Sequence, residues 1–204
     1  MAKRYYWPKK AIFLITTLLI FMVIVMSAFD REVPYTKDDQ THDSIASVTA
    51  FTQVYKVLMS PRCMNCHPSG DVPLQGDDSH LHTMLPRRGK DGKGLYAMKC
   101  TNCHQPENTP GVRTPPGNAN WHLPPADMKM VFQGKTAHEL ARQLVDPKRN
   151  GRKNMAQLIA HADDDLVLAG WNPGEGRTLP PISHAEFKKA WLTWIRNGAF
   201  APAP

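Results

Sequence analysis

The chain has 204 residues, enough for one domain or two very small ones beside any targeting segment. Its formal charge is +7, but Lys3, Arg4, Lys9 and Lys10 supply four of those charges and leave +3 on the rest, so the balance carries no nucleic-acid reading. Gly and Pro make 31 of the 204 residues, many of them between the two cysteine motifs described below, and such a segment struggles to bury a core of side chains alone.

Residues 1–10 are basic and aromatic, and residues 11–29 carry no charge. Nineteen residues at about 1.5 Å rise give roughly 28 Å, close to the hydrocarbon thickness. The pattern predicts a single N-terminal transmembrane helix with the amino terminus in the cytoplasm and Tyr5, Tyr6 and Trp7 at the headgroups. A cleaved signal peptide is the rival, with Ala28 as the last residue removed, although Met26 is large for such a site. Either way residues 30–204 reach the far side of a membrane. Residues 30–43 are polar and aperiodic, a tether that includes His42.

Residues 44–60 read as a helix, with Val48, Phe51, Val54, Tyr55 and Leu58 on one apolar face and Pro61 as its stop. Cys63-Met64-Asn65-Cys66-His67 follows, and Cys100-Thr101-Asn102-Cys103-His104 repeats the pattern. Cys-x-x-Cys-His marks covalent c-type haem attachment. Two thiols three positions apart reach the two vinyl groups of one haem, and the adjacent His supplies the proximal nitrogen. Two copies account for all four cysteines. A structural zinc site remains open as an alternative, although it requires no His after each pair and usually has a shorter gap than the 33 residues here. Disulfides or a redox dithiol remain open too, since the domain is exported.

Between the motifs, Asp71 to Leu85 reads as a loop, and Gly94 to Met98 has the look of the first helix of a small c-type cytochrome, with Tyr96 packed on haem. Residues 105–135 read as Pro- and Gly-rich loop. A helix starts at Thr136 with Glu139 completing a capping box, and Pro147 ends it. A short helix covers about 153–162 after an Asn150-Gly151 turn. The last helix spans about 184–197, with Ser183 and Glu186 as a second box, an aromatic face of Phe187, Trp191 and Trp194, and Gly198 at its end. Its natural partner is the helix at 44–60.

These elements predict a mostly α fold with extensive irregular loops: one N-terminal transmembrane helix plus a dihaem cytochrome c-like domain over 44–204. The second haem unit, about 89–170, is inserted between the terminal helices. Four propionates would bring the haem-loaded soluble part to about −1. His67 and His104 are the proximal ligands. For the sixth positions the sequence offers Met84 to the first haem and Met130 to the second, with His82, His122, Met128 and His161 as alternatives and the reverse pairing of loops with haems open. His80, His138 and His184 are further candidates by residue type, and most of the candidates must be structural; His138 and His184, in first helical turns or caps, are expected to be exposed.

The runs at 63–77 (CMNCHPSGDVPLQGD), 115–125 (PPGNANWHLPP) and 170–177 (GWNPGEGR) resemble a group of small bacterial dihaem cytochromes labelled isoquinoline 1-oxidoreductase subunits. The resemblance covers nearly all of 50–200. It implies periplasmic electron transfer from a donor enzyme, a molybdenum hydroxylase or aldehyde dehydrogenase, to the respiratory chain. The chain has no molybdenum- or flavin-binding motif of its own and no nucleotide-binding glycine pattern. The expectation is a non-catalytic electron relay carrying two haem c groups at the bacterial inner membrane, its haem domain periplasmic. The alternatives are a fixed subunit of a large membrane complex and, from another class, a dihaem peroxidase-like enzyme with one open iron.

Overall fold

The computed structural model describes residues 43–204. The first helix, α1 (Ser44–Leu58), starts where the Asp43 carboxylate accepts from the Ala46 N–H at 2.9 Å. It ends before Pro61, which opens the four-residue α2 (Pro61–Met64), where its missing N–H costs nothing. Two short antiparallel hairpins follow. In one, β1 (Leu74–Gln75) pairs with β2 (His80–Leu81); in the other, β3 (Gly94–Leu95) pairs with β4 (Met98–Lys99). A single 3-10 turn, Cys100–Asn102, begins the second motif.

The chain then runs without helix or strand to α3 (Ala137–Leu144), followed by α4 (Met155–His161), α5 (Asp165–Leu168) and α6 (His184–Arg196). Both expected capping boxes form, Thr136 with Glu139 and Ser183 with Glu186. A third, Asn154 with Gln157, starts α4. Gly198 takes φ +98° just beyond α6, a conformation that favours glycine.

The core lies where α1 crosses α6. Phe51, Val54, Val57 and Trp194 are fully buried, and the rings of Phe51 and Trp194 sit 4.7 Å apart. Leu140, Leu144, Leu158, Phe187 and Trp191 complete the cluster. Polar groups lock the crossing. The buried Ser47 hydroxyl donates to the Trp194 carbonyl at 2.9 Å and accepts from the Phe200 N–H at 3.0 Å.

The mostly α, cytochrome c-like reading with a transmembrane helix does not hold for this structure. Only about 35% of it is helical. Among the described residues no helix is long and apolar enough to cross a membrane. The expected anchor at 11–29 and nearly all of its tether lie outside the described residues. The helix expected at Gly94–Met98 is the β3–β4 hairpin instead. Gly94 and Tyr96 both have positive φ, which no helix admits, and Tyr96 is 90% exposed rather than packed. Prolines and glycines through residues 68–134 break any longer helical run, so that segment is built from turns, the two short hairpins and the 3-10 turn.

Phe51→Ala should lower folding stability by about 3–5 kcal/mol, the range for deleting a buried aromatic. A urea titration should show the midpoint falling with its slope unchanged.

Candidate haem site

Each motif is a tight turn whose histidine is fixed from two directions. In the first, His67 donates from Nδ1 to the Met130 carbonyl at 2.7 Å and stacks on Phe132 with centroids 3.9 Å apart and planes 7° from parallel. In the second, His104 donates from Nδ1 to the Pro116 carbonyl at 2.7 Å and stacks on Trp121 at 3.9 Å and 8°. A carbonyl only accepts, so in the neutral ring the proton sits on Nδ1 and Nε2 keeps its lone pair. That is the tautomer a metal requires, and an outer hydrogen bond of this kind is the usual support of a ligating histidine.

The clamping segments are themselves held by main chain. Phe132 N–H donates to the His67 carbonyl at 2.9 Å, and Asn118 N–H donates to the Gln105 carbonyl at 2.9 Å. Behind the Pro116 carbonyl, Gly117 passes so close to Glu107 that a Cβ there would lie 2.0 Å from the Glu107 carbonyl oxygen. Only glycine permits that approach.

Burial sets the charge states. It drives the His67 pKa down to about 4 and also lowers that of His104, so both imidazoles are neutral at neutral pH. Burial raises Cys63 to about 12 and Cys66 to about 11, and the two thiols stay protonated. All four cysteines are free. Among the described residues no three His, Cys, Asp or Glu side chains converge as a metal cage. The geometry therefore does not build the tetrahedral thiolate site that zinc takes.

A cavity of about 440 Å³ opens beside the second motif, within the usual size range of cofactor pockets. Cys100, Cys103 and His104 all line it, and Cys66 joins them from the first motif. Cys63 packs against the main core, and neither it nor His67 lies on this wall. Leu74, Leu123, Leu166 and several prolines make the wall apolar.

Arg62, Arg113 and Arg177 also line the cavity. Arg62 holds Asp77 at 2.6 Å. Burial, and then the neighbouring Arg62 charge, lowers the Arg177 pKa. Arg62 Nε and Asn65 Oδ1 are buried with no hydrogen-bond partner among the described residues. An apolar slot with free thiols, a prepared imidazole and crowded guanidiniums fits haem: thioether attachment, one axial nitrogen and cationic partners for propionates.

The sixth-ligand candidates divide between the two motifs. His82, Met84 and His122 line the cavity with His104. Met84 is 61% exposed. His122 has its Nδ1 on the Asn120 carbonyl. Met130, offered to the second haem with the reverse pairing open, lies beside His67, from which its carbonyl accepts. Met128 sits in a turn, its N–H donating to the Pro125 carbonyl at 3.0 Å.

His161 stands near enough to His67 to lower the latter's pKa, and its own Nδ1 is held by Asp164. Of the remaining histidines, His80 is exposed and paired with Asp78. His138 and His184, expected on the surface, are both partly buried: Nδ1 of His138 donates to Pro202 and Nε2 of His184 donates to Ala162.

Sequence reasoning missed Phe132, Trp121 as a stacking partner, and Arg88. The Arg88 side chain is 1% exposed. It donates to the Pro124 carbonyl at 2.6 Å and the Gly70 carbonyl at 3.0 Å, tying the loops that follow the two motifs to each other. No residue pattern signals a buried arginine that serves carbonyls. The aromatics had a weak signal, being isolated rings inside Pro-rich loop.

No family model, curated protein or solved structure matches the chain.

Arg88→Met keeps the volume but leaves the part-buried hydrogen bonds to the Pro124 and Gly70 carbonyls unmade. It should destabilise the fold by about 2–4 kcal/mol, on the scale of the unpaired groups. Guanidinium unfolding of the purified protein measures it.

Proposed function

We propose that the chain is a dihaem c-type cytochrome that relays single electrons on the outer side of a bacterial inner membrane, between a donor enzyme and a respiratory acceptor. One observation carries the reading. Both motif histidines, 37 positions apart in the chain, have the same surroundings: Nδ1 on a carbonyl at 2.7 Å and an aromatic ring stacked at 3.9 Å. A chance Cys-x-x-Cys-His has no reason to acquire that environment twice.

Bound haem iron would supply a one-electron couple. The chain's residues do the rest. His67 and His104 present a neutral nitrogen lone pair. Each cysteine thiol would hold the group by adding across a vinyl double bond, sulfur to one carbon and its hydrogen to the other, with no net oxidation. Arg62, Arg113 and Arg177 offer positive charge to the acidic edge of the group. Cys66 shares a cavity wall with Cys100 and Cys103, which supports placing the two attached groups close enough to pass electrons between them. The sequence resemblance to small dihaem cytochromes points to the same class of partner, a periplasmic oxidoreductase.

A pyridine haemochrome assay on protein matured in a host with c-type attachment machinery should give two haems per chain. The Cys63→Ala/Cys66→Ala variant should give one. Carbon monoxide should leave the reduced spectrum unchanged if both irons are fully ligated. A fraction that binds it would favour a peroxidase-like enzyme, and absence of covalent haem would overturn the reading.

A further inference from the structure

Resting on the dihaem reading, we propose that the sixth ligand of the second haem is His82, drawn from the loop after the first motif. The second site would then be bis-histidine and would span both halves of the domain.

His82 and His104 both line the cavity, and among its imidazoles they are the pair in ring contact. Their centroids lie 6.5 Å apart and their planes cross at 66°. Two metal–nitrogen bonds of about 2 Å laid end to end, with a ring radius added at each end, put trans imidazoles about 6 Å apart. The observed pair is therefore spaced for one ion between them. It is too far apart for direct hydrogen bonding and well beyond the 3.9 Å at which Trp121 stacks on His104.

The loop that carries His82 is fixed rather than free. It leaves β2, and His82 N–H donates to the Pro73 carbonyl at 3.0 Å. Three residues on, the Leu85 N–H returns to the His82 carbonyl at 2.8 Å, closing a turn with Leu85 at φ +48°. Thr83 is held by the Gln75 side chain at 3.0 Å. On the ring itself, Nδ1 accepts a long 3.3 Å contact from the Met84 N–H, the one hydrogen bond it makes among the described residues. Ligation through Nε2 moves the proton to Nδ1 and gives up that contact.

The rivals on the same wall are less suited. Met84 points largely to solvent, at 61% exposure. His122 follows directly on Trp121, which stacks against His104, and no ring contact joins His122 to His104 among the described residues.

The test uses the full chain matured with haem. Haem per chain is counted first, then spin state and carbon monoxide binding are read by optical and electron paramagnetic resonance spectra. A wild-type count below two haems sinks the dihaem reading itself, separately from this assignment. With two haems present, His82→Ala should keep the count and make half of the haem high-spin and reactive with carbon monoxide. Added imidazole should restore the low-spin spectrum. His82→Met should keep both haems low-spin and raise one midpoint potential, since thioether ligation favours the reduced iron. Met84→Leu and His122→Gln should each keep the haem low-spin and inert to carbon monoxide.

The crosswise assignment is read in single-haem chains. His82→Ala should open the iron in Cys63→Ala/Cys66→Ala, which keeps the second haem. It should leave the iron of Cys100→Ala/Cys103→Ala unchanged. Both haems low-spin and inert in His82→Ala, or the opening found in the chain that keeps only the first haem, would overturn the proposal.

Discussion

The whole middle of this protein hangs on two hydrogen bonds from imidazole to main-chain carbonyl. His67 holds Met130 and His104 holds Pro116, each at 2.7 Å. Each bond folds a long loop back onto the turn that carries a Cys-x-x-Cys-His. In both places the returning strand of loop is pinned a second time, through Phe132 N–H in one and Asn118 N–H in the other. The stacked aromatic then follows from the same return: Phe132 two residues beyond Met130, and Trp121 five beyond Pro116. A carbonyl serves better than a carboxylate here. It fixes the tautomer without bringing a negative charge into a buried site, so the imidazole stays neutral.

The spans differ sharply. Twelve residues separate His104 from its carbonyl, and sixty-three separate His67 from its own. The whole second motif lies inside the longer span. Closing a longer loop costs only slowly growing entropy, about 0.6 kcal/mol per doubling. The insertion is therefore tolerable provided that its ends are held, and Arg88 holds them. Its guanidinium reaches Gly70 on one loop and Pro124 on the other, and its own main-chain N–H binds the Asp71 carbonyl at 2.7 Å. Lys129 adds an ion pair to Asp71 at 2.8 Å, which is exposed and contributes little.

What the sequence made legible were features written in side-chain type at fixed spacing. The doubled motif is one. The capping boxes at Thr136 and Ser183 are another, and the pairing of the terminal helices followed from the aromatic face of α6 having to be buried somewhere. The failures share a cause. The Gly94–Met98 run has hydrophobic residues that suit a helix, but a two-residue strand leaves no period to read, and the positive φ at Tyr96 is set by the hairpin turn rather than by its own preference. The sixth-ligand candidates were recognisable as residue types and ambiguous as partners, because chain order does not say which loop crosses to which motif. Main-chain acceptors such as Met130 and Pro116 are invisible to any reading by residue type.

The distribution of buried apolar side chains explains why the domain divides its labour. Phe51, Trp194 and their neighbours make one continuous core between α1, α3, α4 and α6. Across residues 65–131 the buried apolar side chains are Pro68, Leu74, Cys100 and Leu123, which belong to no such cluster. That stretch is positioned instead by carbonyl acceptors, a buried arginine and glycines at close approach. These interactions are directional: they set where a thiol or an imidazole points while burying little hydrophobic area. The helical layer stabilises the chain by burial and carries Cys63 on α2, and the loop layer uses that rigid support to place the other three thiols and the two motif imidazoles. A fold organised in this way has its precision where its helices are not.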